Sequence, residues 1–492
     1  MSQIRKLFVH SSHYLAGQAF LMAAGFISFP IFTRIFSVSD YGIFCLINSS
    51  IFIIQTFVAH GTNHSIVRFY PEYKHTNKID ILHSTIVLLG VPLALALTGF
   101  VLVIIRYLPD HLYSQYGRSL FYVVTIIIFV KTFNSLFITV LRADQRTKFY
   151  NIVIILNRYG NIVFSLFFIL FLIRDLSGFY IGQLLSELIL ATVLLLNFLA
   201  KYKLRLKHIS LELFRSSLQF GLPLTSSQVL HVLLSYADRY LIQFYIGSGP
   251  LGLYSAGYNL SSYLTDFVKL PINKAIDPIL LSICTSEGYQ KAKHFLTKAL
   301  TYYLLLVLPV AFGFIAIRRD FISMLATPKF AEASSIIPYV ITANMLYALQ
   351  AVLNAGIIVY KKTNILFILR LLGLLFNIIL NVLFIPRYGI VGAALATLIS
   401  YIVYTFCITI YSFRLLPFPV EYRRIALYFL LSVLMFLVVH YTPLMSTFVG
   451  LSIKIILGAS FYCTCVLTFD TQLRSLFVRR FKDSALGWTR PA

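Results

Sequence analysis

The sequence predicts an all-α polytopic membrane protein of about 14 transmembrane helices: two parallel six-helix repeats, then two C-terminal helices. Three observations predict it. First, 59% of the 492 residues are hydrophobic and only 12% charged, against roughly 45–50% apolar and about 25% charged in a soluble protein; mean hydropathy is +0.83. Second, the apolar residues fall in blocks near the roughly 20 residues that a helix needs to span a bilayer. Third, the chain repeats itself. IFSVSDYGIFCLINSS (35–50) resembles YIGSGPLGLYSAGYNLSS (245–260), and RTKFYNIVIILNRYGNIVFSLFFI (146–169) resembles KTNILFILRLLGLLFNIILNVLFI (362–385). The second pair sets Asn161 opposite Asn377.

Taken in order, the blocks lie at about 12–33, 42–64, 82–105, 119–141, 150–172 and 178–200. The N-terminal run follows Arg5 and Lys6 and is too long for the apolar core of a cleaved signal, so it reads as the first span. A basic stretch, KYKLRLKHISLELFRSS (201–217), comes next. Eight further blocks follow at about 218–246, 254–276, 296–317, 336–359, 364–385, 389–412, 425–442 and 449–469. The expected organisation is a six-helix bundle over 1–200, a cytoplasmic basic linker over 201–217, a second bundle over 218–413, and two extra helices with a basic tail over 414–492. Six spans separate the repeated blocks, so both copies run through the membrane in the same sense, an arrangement typical of transporters. Pro30, Pro92, Pro223, Pro271, Pro309 and Pro338 fall within or near spans and are expected to kink them.

The net charge is +24. Nucleic-acid binding would gather Lys and Arg on one solvated face; here they lie in short runs between apolar blocks. With the N-terminus inside, alternate connections carry 26 basic residues on the inner side and 8 on the outer, out of 41. Cytoplasmic connections carry the excess of Lys and Arg, so both termini are expected in the cytoplasm.

The remaining basic residues, Lys131, Arg158, Arg239, Lys269, Lys274, Arg370 and Lys454, fall within or at the ends of spans, with Glu187, Asp238, Asp266 and Asp277 as acidic company. A charge at the bilayer centre costs roughly 2.5–3.5 kcal/mol on insertion scales, so such residues should face a cavity or a partner. Asp266 and Lys269 are i,i+3 and can neutralise each other. Asp238 and Arg239 can cap and snorkel near a helix end, and Lys274 and Lys454 read as snorkelling ends. Lys131, Arg158 and Arg370 have no acid nearby in sequence. With Lys269 they are the candidate lining of a cationic cavity suited to phosphate or pyrophosphate. Glu187 and Asp266 are the candidates for coupling to protons or sodium, the alternative being that each neutralises a cation.

No G-x-x-x-x-G-K-[ST] occurs, which argues against a nucleotide-driven pump. Cys463-Thr-Cys465 has neither zinc nor redox spacing, and His60 and His64 have no acidic ligand beside them, so no metal and no cofactor are expected. No nucleophile–base or paired-carboxylate pattern stands out, and no outer connection exceeds about twenty residues, which leaves an enzyme of glycan assembly little room for its chemistry. The chain reads as a carrier, not an enzyme.

One segment, FGLPLTSSQVLHVLLSYADRYLIQFYIGSGPLGLYSAGYNLSSYL (220–264), resembles the seventh-span region of the polysaccharide flippases, with Pro223, then Asp238-Arg239-Tyr240, then Gly252, Tyr254 and Tyr258 in the family's positions. FPIFTRIFSVSDYGIF (29–44) resembles the end of that family's first span. LNVLFIPRYGIVGAALATLISYIV (380–403) resembles its N-x-x-L-I-P-x-[YF]-G-x-x-G-A-A-x-A-T block. The chain thus resembles the O-antigen and exopolysaccharide (Wzx-type) translocases, in the superfamily that also holds the lipid II flippase and the multidrug–cation antiporters.

The resemblance implies two six-helix bundles around a central cavity that opens alternately to either side of the inner membrane. It also implies an undecaprenyl-pyrophosphate-linked oligosaccharide as substrate, delivered to the periplasmic leaflet. The partners it implies are this anionic lipid-linked glycan, the membrane and other polysaccharide-assembly proteins, with no nucleic acid. The rival readings are a multidrug–cation antiporter of the same superfamily, which would need cavity carboxylates, and a membrane enzyme of glycan assembly.

Overall fold

The computed structural model describes residues 20–21, 23–59, 61–107, 116–443 and 447–475. Of the expected features, the stretch 12–19, His60, the tail beyond 475 and the side chains of Pro271 and Lys274 lie outside the described residues. Among the described residues there are helices and turns but no strand.

The helices are α1 (Ala23–Ile35), α2 (Val38–Val58), α3 (Thr62–His75), α4 (Ile79–Tyr107), α5 (Gly117–Ala143), α6 (Thr147–Phe171), α7 (Leu176–Lys201), α8 (Leu211–Ile246), α9 (Ser248–Ser286), α10 (Tyr289–Leu325), α11 (Ile337–Leu353), α12 (Ala355–Val359), α13 (Thr363–Leu415), α14 (Tyr422–Tyr441) and α15 (Phe448–Phe469). Ten of the described helices are long and apolar enough to cross a membrane. One of them, α13, is two spans joined at Gly389, whose φ of 57° and ψ of −138° break the helical run. With α1 and the long, partly polar α8 and α9, the helices supply the fourteen spans expected.

Two details depart from the expectation. The block 42–64 is not one helix: α2 stops at Val58, and Gly61 turns the chain at φ 84° before α3 begins. A Cβ at Gly61 would fall 2.4 Å from the backbone of Gly221, so both the turn and the close approach require glycine. Pro338 lies in the first turn of α11. The amide it lacks is one the helix start leaves unpaired anyway, so it starts the helix and does not kink it.

The repeat persists in the helices. Val38 and Ser248, and likewise Ile79 and Tyr289, open helices 210 residues apart, and Thr147 and Thr363 open helices 216 apart. These are the offsets of the sequence repeat, with one short insertion between them.

The described residues form two compact units, those up to 32 with those of 39–240, and 33–38 with those from 241 onward. In the first, Ile66, Tyr70, Leu82, Ile86, Phe137 and Phe198 close a core shared by α3, α4, α5 and α7. In the second, Ile276, Leu280, Leu296, Leu300, Val352 and Leu416 join α9, α10 and α11 to the residues that end α13. Helices in lipid have no hydrophobic drive toward one another, and small residues let their backbones approach. Gly252 does this: a Cβ there would meet the Val38 carbonyl oxygen at 1.9 Å.

Candidate functional site

In the first unit the polar residues converge on one carboxylate. Glu187, on α7, is fully buried. Lys131 Nζ lies 2.8 Å from its Oε1, with the lysine side chain 21% exposed. Asn134, one turn along α5 from Lys131, donates to Glu187 Oε2 at 2.8 Å and to its carbonyl oxygen at 3.0 Å. Asn161, on α6, donates to Oε1 at 2.9 Å. Three helices are therefore tied by one ion pair and two amides, which satisfies a charge that would otherwise be costly at this depth. Lys131 has no acid nearby in sequence; its partner is 56 positions away in the chain, so of the two readings of Glu187 the pair with a cation is the one the geometry displays.

Arg158 is exposed on α6, with no carboxylate in ion-pair range among the described residues. Apart from Phe171 at its end, the exposed large apolar residues of α6 are Ile152, Leu156, Val163, Phe167 and Leu170. At about 100° per residue these form one stripe, and Arg158 projects from the opposite side of the helix, the side that carries Asn161 and the buried Ser165.

The second unit has a parallel arrangement. Arg370 lies on the first span of α13, opposite the exposed stripe of Ile368, Leu372, Leu375 and Ile379. It donates from Nε to the Tyr404 hydroxyl at 3.3 Å, close to the Tyr347–Tyr401 ring pair, whose centroids are 5.3 Å apart. On the same side Asn377 donates to Ser400 Oγ at 3.4 Å, and Asn381 donates to Asn377 at 2.9 and 3.0 Å. Lys269 and Asp266 pair at 2.6 Å on α9, as their i,i+3 spacing predicts.

The other charged residues differ from the simple reading. Asp238 and Arg239 do not snorkel; they are 2% and 1% exposed within α8. The Arg239 guanidinium donates to the Ser235 carbonyl at 2.9 Å and lies over the Tyr236 ring. Tyr240 bonds through its hydroxyl to Ser50 Oγ at 2.7 Å. Of the remaining motif residues, Pro223 sits inside α8, and Gly252 and Tyr254 are buried. Lys454 is no snorkelling end either, since it pairs with Asp320 at 2.7 Å.

Two hubs outside the spans had little sequence signal because most of their members are far apart in the chain. Asp144, between α5 and α6, takes Lys74 at 2.9 Å, Arg146 at 3.1 Å, Lys201, and the Tyr70 hydroxyl at 2.6 Å. Burial alone would raise its carboxyl, but the hydrogen bonds from Lys201, Tyr70 and Lys74 outweigh that and hold it below the ordinary carboxylate range. Asp470, after α15, binds Arg424 at 2.8 Å and the Tyr428 hydroxyl at 2.5 Å. Within the second unit, α10, α14 and α15 also enclose an apolar groove of about 1170 Å³, lined by Leu306, Pro309, Phe314, Met435, Ile455 and Tyr462 among others.

Three comparisons bear on this arrangement. The chain is 22% identical over 386 residues to an uncharacterized membrane protein of Methanocaldococcus jannaschii, covering 74% of this chain and 75% of that one. It is 23% identical over 269 residues to the probable flippase AglR of Haloferax volcanii, covering 51% of this chain and only 54% of that relative. Its fold matches that of the lipid II flippase MurJ in an inward-closed conformation with a TM-score of 0.75, at 17% identity, over 93% of this chain and 98% of that one. The polysaccharide biosynthesis protein family matches residues 9–284, more than half of the chain. The chain is therefore a multi-pass membrane protein of the polysaccharide biosynthesis family.

Proposed function

We propose that this protein is a flippase, not an enzyme, that moves an undecaprenyl-pyrophosphate-linked oligosaccharide from the cytoplasmic to the periplasmic leaflet of the inner membrane by alternating access. The observation that carries the reading is the placement of Arg158 and Arg370. Each projects from the side of its helix opposite the exposed apolar stripe, Arg158 on the side of Asn161 and Arg370 beside the Tyr404 hydroxyl, where a guanidinium can offer paired donors to a phosphate. The expected division into bundles over 1–200 and 218–413, with both termini in the cytoplasm, belongs to the same proposal. The apolar groove along α10, α14 and α15 suits the lipid portion of such a substrate.

Within this reading Arg158 and Arg370 attract the pyrophosphate. Lys269 contributes through its pair with Asp266, and Lys131 is committed to Glu187. An anion moving outward is assisted by an inside-negative potential, at roughly 2.3 kcal/mol per charge per 100 mV if fully sensed, so no nucleotide site is required. Glu187 and Asp266 are the carboxylates to test for ion coupling. The multidrug–cation antiporter alternative needs a carboxylate available to a cationic drug, and the Glu187 carboxylate is already occupied by Lys131 and two asparagines.

Deleting the gene tests the reading. A lipid-linked oligosaccharide should accumulate on the cytoplasmic leaflet while surface glycan disappears. Normal surface glycan with altered drug sensitivity would favour the antiporter instead.

A further inference from the structure

The connection between α7 and α8 has a property that translocation does not use. Residues 201–215 carry Lys201, Lys203, Arg205, Lys207 and Arg215 against the single acid Glu212. Lys201 is committed to Asp144, whereas Lys203, Arg205 and Lys207 are exposed. Between them Leu206 is 77% exposed, and Leu211, which opens α8, is 73% exposed. This backbone is pinned to the membrane-spanning α4. The Arg205 amide donates to Ser84 Oγ at 3.2 Å and the Ser210 amide donates to Thr85 Oγ1 at 3.0 Å.

Both anchor points are fully buried and lie five to six residues into α4, roughly 8 Å along the helix at about 1.5 Å per residue. α4 has 29 residues, roughly 44 Å at about 1.5 Å per residue against a hydrocarbon core of about 30 Å, so a centred α4 puts that depth near the boundary between headgroups and acyl chains. The connection that follows α13 in the second unit behaves differently, because its apolar Leu416 and Phe418 are tucked into the core. Leu206 and Leu211 instead face outward, beside cations. Basic residues interleaved with apolar ones at an interface bind anionic lipid by combining apolar insertion with charge.

The geometry points to residues 203–211 as a binding strap for anionic phospholipid headgroups of the leaflet they touch: Leu206 and Leu211 dip into the acyl boundary while Lys203, Arg205 and Lys207 hold the phosphates. Asp80 and Glu212, the acids nearest in sequence to the anchor and to the strap, are outnumbered by these cations. The inference is independent of what the protein transports.

The test places a reporter in the strap. Leu206→Trp in a Trp488→Phe background, which removes the one native tryptophan, is reconstituted in phosphatidylcholine mixed with phosphatidylglycerol. Only one of the two lipids is brominated at a time. Because each basic residue at an anionic surface strengthens binding roughly fivefold, brominated phosphatidylglycerol should quench as though enriched about fivefold or more over brominated phosphatidylcholine. The added changes Lys203→Gln, Arg205→Gln and Lys207→Gln should abolish that preference while leaving quenching by both lipids, which also shows that the variant is folded and inserted. Equal quenching by the two lipids in the parent would overturn the charge selectivity. No quenching by either would overturn the contact with the membrane.

Discussion

The two repeats build the same frame and fill it with different charge. Asn161 in the first unit and Asn377 in the second, 216 positions apart, each reach to the next span, yet Asn161 meets the Glu187 carboxylate and Asn377 meets the Ser400 hydroxyl. The positions of Lys131 and Asn134 correspond at the same offset to Tyr347 and Gln350. Asn134 binds Glu187, whereas Gln350 binds Thr405 Oγ1 at 3.4 Å. The first unit thus closes its frame with an ion pair and the second with neutral hydrogen bonds. What this teaches is that a cation inside a span need not face a substrate: Lys131 pairs with Glu187 in the frame and Arg370 bonds the Tyr404 hydroxyl of the next span, while Arg158 stands on the polar side of α6 with no carboxylate in ion-pair range among the described residues.

The largest expected effect breaks the charged frame alone. Glu187→Leu leaves the largely enclosed Lys131, 21% exposed, without its counter-charge and should cost up to about 3–5 kcal/mol, read as a large fall in membrane abundance and in the thermal unfolding midpoint. Adding Lys131→Met should recover much of that loss, because the uncompensated charge goes with it. If Glu187→Leu is as abundant as the parent, the frame is not held by this pair.

Gly252→Ala comes next, since its Cβ would sit 1.9 Å from a backbone oxygen and overpacking of this kind costs about 1–3 kcal/mol. Gly99→Ala, with nothing within 4 Å of its Cβ, is the control and should stay within about 0.5 kcal/mol. In the neutral frame, Ser400→Ala removes two uncharged hydrogen bonds, one accepted from Asn377 and one donated to the Ala396 carbonyl, and should cost only about 1–2 kcal/mol, below Glu187→Leu by the same unfolding assay. Comparable losses at Glu187 and Ser400 would erase the distinction between the repeats.

The smallest effect is one of pH. The folded-state pKa of Asp144 is lowered from the ordinary 3.8. Its contribution is therefore fully present above that value and is lost only as pH falls through the lower folded value. The stability difference between the parent and Asp144→Asn should be flat from neutrality down to about pH 5, and should shrink only in acid below the carboxylate range. A difference that vanishes between pH 7 and 5 would contradict the assignment.

Much of this was legible in the sequence, for identifiable reasons. Lipid demands continuous apolar helices, so the spans could be read from hydropathy, and the repeat offsets survive as helix starts at Val38 and Ser248, and at Thr147 and Thr363. Local pairs were legible too, as Asp266 with Lys269. The break at Gly61 was hidden because apolar residues continue across it, and its cause is a distant neighbour, Gly221. The pairs Lys131–Glu187 and Lys454–Asp320, and the contacts of Asp144 with Lys74 and Lys201, join residues tens of positions apart. Neither periodicity nor spacing encodes such contacts.

The central claim is that Arg158 and Arg370 serve an anion's path while Lys131 serves the frame. The most direct measurement is translocation of an undecaprenyl-pyrophosphate oligosaccharide in proteoliposomes, with the amount of inserted protein determined for every variant. Arg158→Ala and Arg370→Ala should lose most translocation at normal insertion. Arg→Lys should retain more, because the point charge survives without the paired donors, and Arg→Glu should be worst. Exchanging the frame pair, Lys131→Glu with Glu187→Lys, should restore insertion and translocation together relative to either single change. Full translocation by both arginine-to-alanine variants would contradict the account, as would a loss of translocation that only follows a loss of inserted protein.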